Sequence, residues 1–265
     1  HRYSSAASDV YKRQGKFILK TINRFSGIDW GTKDMAIAYD TWWNTRNRKS
    51  YVFNPSNPNI KPKIISDRNY QDTYSDPGNF LRSRNEFNRS VLKMHYGNIF
   101  LRGQGFSPSG QFPFIDKVNT KTFEKTRVYQ SSYTDKIESI IDYDPKKNQL
   151  TVSIESPSEY PNYYTKKIKS GKLEKLTNLK NPFLELQNVK KEKITYLRND
   201  GVELSGILYL PLNYDKEKKE KMPMILWAYP REFKDRQSAS QNTKNSNEFT
   251  YPYYCLLYTS DAADE

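Results

Sequence analysis

The chain is a succession of short alternating runs broken by polar turns, and that pattern leaves few folds open. Met35–Asp40 (MAIAYD) has period 2, the spacing of a strand whose side chains point to two faces in turn. Lys49–Asn54, Pro62–Asp67, Val91–Tyr96 and Asn98–Arg102 follow, separated by stretches rich in Asn, Pro, Ser and Gly. Phe112–Val118 and Arg127–Ser131 flank a turn that starts at Asn119, and Ile137–Asp142, Leu150–Glu155, Tyr163–Ile168 and Leu173–Leu176 complete the series. No stretch carries an apolar stripe of helical spacing over about three turns, so a helical bundle is excluded.

The runs also repeat loosely. A strand, a polar turn and a second strand recur around Tyr51, Phe114 and Tyr164, at spacings of 63 and 50 residues. A four-stranded propeller blade occupies about 40–50 residues before loops lengthen it. A β-sandwich also yields many short strands, and the spacing alone leaves both open. The pattern changes after Asn188. Lys193–Leu197, the turn Arg198–Gly201 and Val202–Leu210 read as a hairpin, because Asn-Asp-Gly accepts the positive φ such a turn requires. A charged loop then leads to Pro223–Tyr229 (PMILWAY), a run of the kind shown by a strand buried on both faces. A domain boundary is placed near residue 188.

The two ends carry a different message. Ser4–Gln14 (SSAASDVYKRQ) and Cys255–Glu265 (CLLYTSDAADE) are what opposite strands of one short DNA string encode, read one base out of frame. Residues 1–14 and 255–265 therefore read as translated sequencing-adapter tails, and they are left out of fold reasoning. The segment to interpret is Gly15–Tyr254, 240 residues, expected to be an internal piece of a longer protein. The single cysteine of the chain, Cys255, falls outside it, and His95 is its only histidine. That excludes a disulfide framework and a Cys/His zinc site. No apolar run approaches the roughly 18 residues of a membrane span.

Charge invites a nucleic-acid reading. The whole chain is +13; without Arg2, Lys12, Arg13, Asp9, Asp261, Asp264 and Glu265 the segment has 40 basic and 26 acidic residues, or +14. The basic residues are nevertheless spread along the chain. The densest runs, Lys190–Lys193 and Lys216–Lys221, contain Glu192, Glu217 and Glu220, as solvated loops do. Lys, Asn, Ile, Tyr and Phe all have A/T-rich codons, which accounts for their abundance without selection for a polyanion. No nucleic-acid partner is expected.

Six stretches point to a family: RFSGIDWG (24–31), DTWWNTRNRKS (40–50), DRNYQDTYSDPG (67–78), GQGFSPSGQFPFID (103–116), ESPSEYPNYY (155–164) and MPMILWAYPREFKDRQSASQNTKNSNEF (222–249). Together, and in this order, they resemble the prolyl oligopeptidase family of serine peptidases, in its glutamyl endopeptidase-like branch. The resemblance implies a mainly β fold: a partial β-propeller over residues 15–188, made of its C-terminal blades, followed by the first strands of an α/β-hydrolase domain over 189–254. It implies peptide substrates, with cleavage after Glu fitting the branch, no metal or organic cofactor, and an exported or organellar setting.

The resemblance also implies a Ser-Asp-His triad with its nucleophile on a Gly-x-Ser-x-Gly elbow. The sequence has no such elbow. Gly105–Gly110 (GFSPSG) fails the spacing and carries Pro108, and it reads as a hairpin or blade loop. His95 lies among strand residues, whereas the family's catalytic histidine comes last in the chain. The triad is expected beyond Tyr254, and the segment alone is expected to be inactive. In relatives, a tyrosine hydroxyl after the third hydrolase strand helps to stabilise the oxyanion. Tyr229 is the candidate, with Trp227 in the alternative register, and both could equally be packing residues. Arg231 and Glu232 are the candidates for touching substrate, or they pair with one another. The loop Tyr70–Phe80, with Asp72 and Asp76, either lines the substrate cavity or is an ordinary turn. Two other functions were weighed, a propeller that only binds and a basic nucleic-acid binder. The hairpin and the apolar run after residue 188 argue against the first.

Overall fold

The computed structural model describes residues 15, 17–187, 189–212, 214–218, 221–228, 231–243 and 249–252. The fold is mainly β, with a single four-residue α-helix, Arg236–Ala239, among the described residues. Among the described residues, two four-stranded sheets and one five-stranded sheet dominate it, each hydrogen-bonded largely in chain order, the up-and-down form of a propeller blade. Every strand expected from the alternating runs between Met35 and Leu176 falls on an observed strand. The repeat centred on Tyr51, Phe114 and Tyr164 falls on the next-to-last strand of each sheet in chain order.

Two compact units divide the chain. The first comprises residues 1–43 and 47–68, the second residues 44–46 and 69–265. The first unit is built on Arg24–Thr32, Met35–Trp42, Asn47–Phe53 and Lys63–Asn69. In Met35–Trp42 four successive residues are buried, although the sequence pattern suggested alternation. The reason is position: this strand pairs on both sides and is covered on both faces, so Met35, Ala36, Ile37 and Ala38 all find apolar surroundings. Ala36, Ala38, Tyr51 and Phe53 form the core, with Ile18, Leu19 and Ile28 against it. Asp40 is buried on the same strand. It accepts hydrogen bonds from the Tyr51 hydroxyl at 2.6 Å and from the Asn23 amide at 2.7 Å, so its charge is satisfied by donors.

In the second unit, two of the sheets share one core. One contains Asn79–Phe80, Asn98–Gly103, Phe114–Asn119 and Lys125–Gln130. The other contains Ile137–Asp144, Gln149–Glu155, Asn162–Lys167 and Leu173–Lys175. Gln149–Glu155 alternates strictly between buried and half-buried, and Leu150, Val152 and Ile154 point into a cluster with Ile140, Tyr143, Phe100, Ile115 and Leu81. Phe100 and Tyr143 meet edge to face at 5.2 Å. The Arg102 guanidinium donates to the Ile140 and Ile141 carbonyls at 3.0 and 2.6 Å. A polar knot closes one end of this core. Glu138, 1% exposed, accepts hydrogen bonds from the Tyr129 hydroxyl and from Lys166 Nζ, the latter at 2.7 Å. Lys166 also donates to the Tyr129 oxygen at 2.6 Å. Burial alone would lower the Lys166 pKa, but Glu138 and Tyr129 hold it above its ordinary value.

The hairpin expected after residue 188 is present as Lys190–Leu197 and Glu203–Leu210, turning through Gly201 at φ 76°. A satellite cluster of Leu186, Val189 and Tyr251, with Tyr160, Phe183 and Tyr209 against it, sits beside it. The apolar run PMILWAY differs from expectation. Residues 221–228 form no strand, and Met224, Ile225, Leu226 and Trp227 are 74%, 72%, 81% and 63% exposed. A strand buried on both faces needs flanking strands and covering layers, and no described strand pairs with this run.

Two outcomes follow from the buried polar groups. Lys166→Met is expected to destabilise the chain by about 3–5 kcal/mol, because it strips a buried carboxylate of its cation. The double change Glu138→Gln/Lys166→Met is expected to cost less than that single change in urea unfolding, and an equal cost would remove the charge-burial explanation. Burial, then the bond to Asp40, pushes the Tyr51 pKa up to about 12, and burial, then the bond to Glu138, does the same for Tyr129. A phenol whose pKa rises on folding stabilises fully below its unfolded value of 10.0 and loses that contribution as pH rises through about 12. Stability is therefore expected to hold up to about pH 10 and to fall toward pH 12. Replacing both tyrosines by Phe should flatten that fall, as read by urea unfolding beside the phenolate absorbance.

Candidate functional site

The loop that follows the first sheet, residues 69–78, is built by its own side chains. Asn69 Oδ1 accepts the Gln71 amide at 2.8 Å, Asp72 Oδ1 accepts the amides of Tyr74 and Ser75, and Asp76 Oδ1 accepts Gly78 N at 3.0 Å. These are Asx turns, in which a short acidic or amide side chain replaces a backbone acceptor. Gly78 closes the loop at φ 84°. A Cβ there would lie 2.3 Å from the Arg102 carbonyl oxygen, so the loop can press on its neighbouring strand only through glycine.

Onto this loop, within the second unit, docks the segment 231–243 (REFKDRQSASQNT). Gln71 Nε2 donates to the Glu232 carbonyl at 2.7 Å, and Gln71 Oε1 accepts the Lys234 amide at 3.2 Å. Asn69 Nδ2 donates to Asp235 Oδ2 at 2.5 Å, and Asp235 in turn caps the short helix by accepting Ser238 N at 2.7 Å. Gln241 makes the densest contact. Its Oε1 accepts from Thr73 N at 2.8 Å, Thr73 Oγ1 at 2.9 Å and Tyr74 N at 3.3 Å, while its Nε2 donates to Asp72 Oδ1 at 2.5 Å. Asn242 continues the line with bonds to Glu203 and Ser205 on the hairpin.

Arg46 anchors the arrangement. It lies in the connection 43–46, is 2% exposed, and adopts φ 54°, a region that non-glycine residues enter at a cost of about 1–3 kcal/mol. Its carbonyl accepts the Tyr70 amide at 2.8 Å. Its Nη2 donates to the Glu232 carbonyl at 3.3 Å and to Glu232 Oε2 at 3.1 Å. Glu232 also pairs with Lys234, and that bond, followed by the charges of Lys234 and Arg46, lowers its pKa. Glu232 is therefore engaged by Arg46 and Lys234, while Arg231 beside it is exposed.

The structure sets Asp72, from the loop singled out in the sequence, against Gln241, and Glu232, from the last motif, against Arg46 and Gln71. Tyr229 lies outside the described residues. Trp227 belongs to the exposed run 221–228. Gly105–Gly110 is a hairpin of Phe106–Ser107 and Gly110–Gln111 that turns through Pro108 and Ser109, as expected, and it is no elbow. His95 ends a short strand at the tight turn Tyr96–Gly97, its ring 4.2 Å from that of Tyr96. Arg46, Gln71 and Gln241 were not singled out from the sequence. Each sits inside a quoted motif, yet Arg46 and Glu232 are 186 residues apart and no local pattern joins them. Among the described residues the arrangement offers donors, acceptors and a paired carboxylate, which hold the segment 231–243 against the loop. Gln241→Leu, which keeps the volume and removes all four bonds, is expected to cost about 2–3 kcal/mol in urea unfolding. A loss below about 0.5 kcal/mol would show that water replaces them without penalty.

No protein-family model matches the chain. Two curated proteins do. The chain is 31% identical over 262 residues to "Probable glutamyl endopeptidase, chloroplastic" of Arabidopsis thaliana, covering 93% of the chain and 27% of that protein. The rice protein of the same name, from Oryza sativa subsp. japonica, is 31% identical over 261 residues, covering 93% of the chain and 28% of that protein. The chain thus spans little more than a quarter of the length of the relatives it matches. Among solved structures, Porphyromonas gingivalis dipeptidyl peptidase 4 aligns at a TM-score of 0.37 and 15% identity over 69% of this chain and 30% of that one, a likeness too slight to carry an argument. Over nearly its whole length the chain is therefore similar to a stretch of two proteins named as glutamyl endopeptidases.

Proposed function

We propose that the chain is part of a serine peptidase and that its role there is to admit and orient peptides, with the bond-breaking groups supplied by sequence outside it. The observation that carries this reading is the 31% identity over 93% of the chain to proteins named as glutamyl endopeptidases. The sequence is consistent with the division of labour: it contains no Gly-x-Ser-x-Gly, and its one histidine outside the tails, His95, sits at a hairpin turn. On this reading residues 15–188 are propeller blades and residues 189–254 are the first strands of the hydrolase domain. Tyr229 contributes to the oxyanion site, and cleavage follows Glu. Glu232 serves to hold its own segment, and Arg231, exposed beside it, is the cation that faces the substrate carboxylate.

The test is to extend the reading frame beyond Tyr254 and express the longer protein. It is expected to react covalently with a fluorophosphonate probe and to hydrolyse Glu-containing peptides, with residues 15–254 alone doing neither. Arg231→Ala in the longer protein is expected to raise KM for Glu peptides about tenfold while leaving Gln peptides unchanged, the size of one lost surface-accessible ionic contact. A longer protein that ignores the probe would remove the serine-peptidase reading. Equal KM changes for Glu and Gln peptides would remove the role of Arg231.

A further inference from the structure

We propose that Arg46 is a positioning residue, which acts through Glu232 to fix where Arg231 emerges. The inference rests on the peptidase reading for its functional consequence, and on geometry alone for the clamp.

The clamp has three parts. The Arg46 carbonyl is held by the Tyr70 amide, its guanidinium grips both the carbonyl and the carboxylate of Glu232, and Gln71 Nε2 grips that same carbonyl from the loop. One backbone carbonyl with two side-chain donors is a fixed point, because displacing it breaks both bonds at once. A buried guanidinium must keep its partners, and the planar fork serves a carbonyl and a carboxylate together, which a lysine ammonium does less well. The left-handed backbone of Arg46 supports the inference in a second way. Glycine would relax that conformation and asparagine would tolerate it, so the position retains a costly residue whose side chain has a specific task.

Connectivity then carries the effect forward. Consecutive Cα atoms are about 3.8 Å apart, so Arg231 lies one residue from the clamped Glu232. The candidate substrate cation is therefore tethered directly to the clamp. A charge-assisted contact to a substrate carboxylate depends on that placement, so a loosened anchor should weaken binding of Glu peptides and spare Gln peptides.

Hydrogen exchange on the 265-residue chain tests the clamp. Arg46→Ala, Gln71→Ala and Glu232→Gln are each expected to speed exchange of the Lys234, Ala239 and Ser240 amides at least tenfold, leaving Gln149–Glu155 unchanged. Gln71 and Glu232 lie toward solvent, so their variants report even where Arg46→Ala unfolds the chain. Unaltered exchange over 231–241 in these two variants overturns the proposal. In the longer protein, Arg46→Lys is expected to raise KM for Glu peptides about fivefold or more with Gln peptides unchanged, and wild-type KM in that variant overturns the positioning role. A longer protein without hydrolytic activity would defeat the peptidase reading, while the exchange result still decides the clamp.

Discussion

The second unit depends on one packed layer, in which Leu150, Val152 and Ile154 from the middle of one sheet meet Phe100 and Ile115 from the middle of the other. Close-packed aliphatic and aromatic side chains exclude water from this layer, and its exclusion gives the polar contacts around it their strength. Glu138, Lys166 and Tyr129 form a short, ordered knot beside it, with Lys166 Nζ also 4.8 Å from the Tyr133 ring. Arg102 reaches across the layer to the carbonyls of Ile140 and Ile141, tying the frames of the two sheets together. It is also the residue whose backbone meets Gly78, so the loop 69–78 rests on the strand that the core holds most firmly.

That loop shows how a rigid platform is transmitted to a segment with little structure of its own. Residues 231–243 contain one helical turn and no strand, too little to order themselves. Asn69, Gln71, Asp72 and Thr73 supply the missing order by offering donors and acceptors in fixed directions, each set by an Asx turn or by a neighbouring strand end. Positioning by side-chain hydrogen bonds is specific but easily undone. A large apolar interface would tolerate the loss of one contact, whereas here the bonds converge on Glu232, Asp235 and Gln241, so the loss of one side chain removes several at once.

Much of the sheet architecture was legible in the sequence, because the features that encode it are local. Leu150, Val152 and Ile154 announce a half-buried strand by their spacing alone, and Asn-Asp-Gly announces the hairpin turn. The loose repeat around Tyr51, Phe114 and Tyr164 falls on equivalent strands, the next to last of each sheet. The burial of all four residues Met35–Ala38 departs from the alternation of their sequence, because pattern reports polarity and not how many layers cover a strand. Trp227 and its neighbours mark the opposite failure: their sequence encodes a buried strand, but burial depends on partners that no local reading can supply. The docked segment was the least legible part. Gln241 looks like any polar residue in a polar stretch, and only the fold shows that it faces Asp72 and Thr73.

Tyr251 is fully buried, with its hydroxyl donating to the Phe183 carbonyl at 2.8 Å and its amide donating to Glu155, the last residue of a third-sheet strand, at 2.9 Å. Its ring meets that of Tyr160 at 5.5 Å. A boundary drawn near residue 188 by sequence character is thus crossed by packing, since the end of that sheet is sealed by a residue more than sixty positions later. Anyone dividing this protein into separately expressed pieces should cut after Pro252 rather than at 188. A piece ending at the earlier point would leave Glu155, Tyr160 and Phe183 facing solvent.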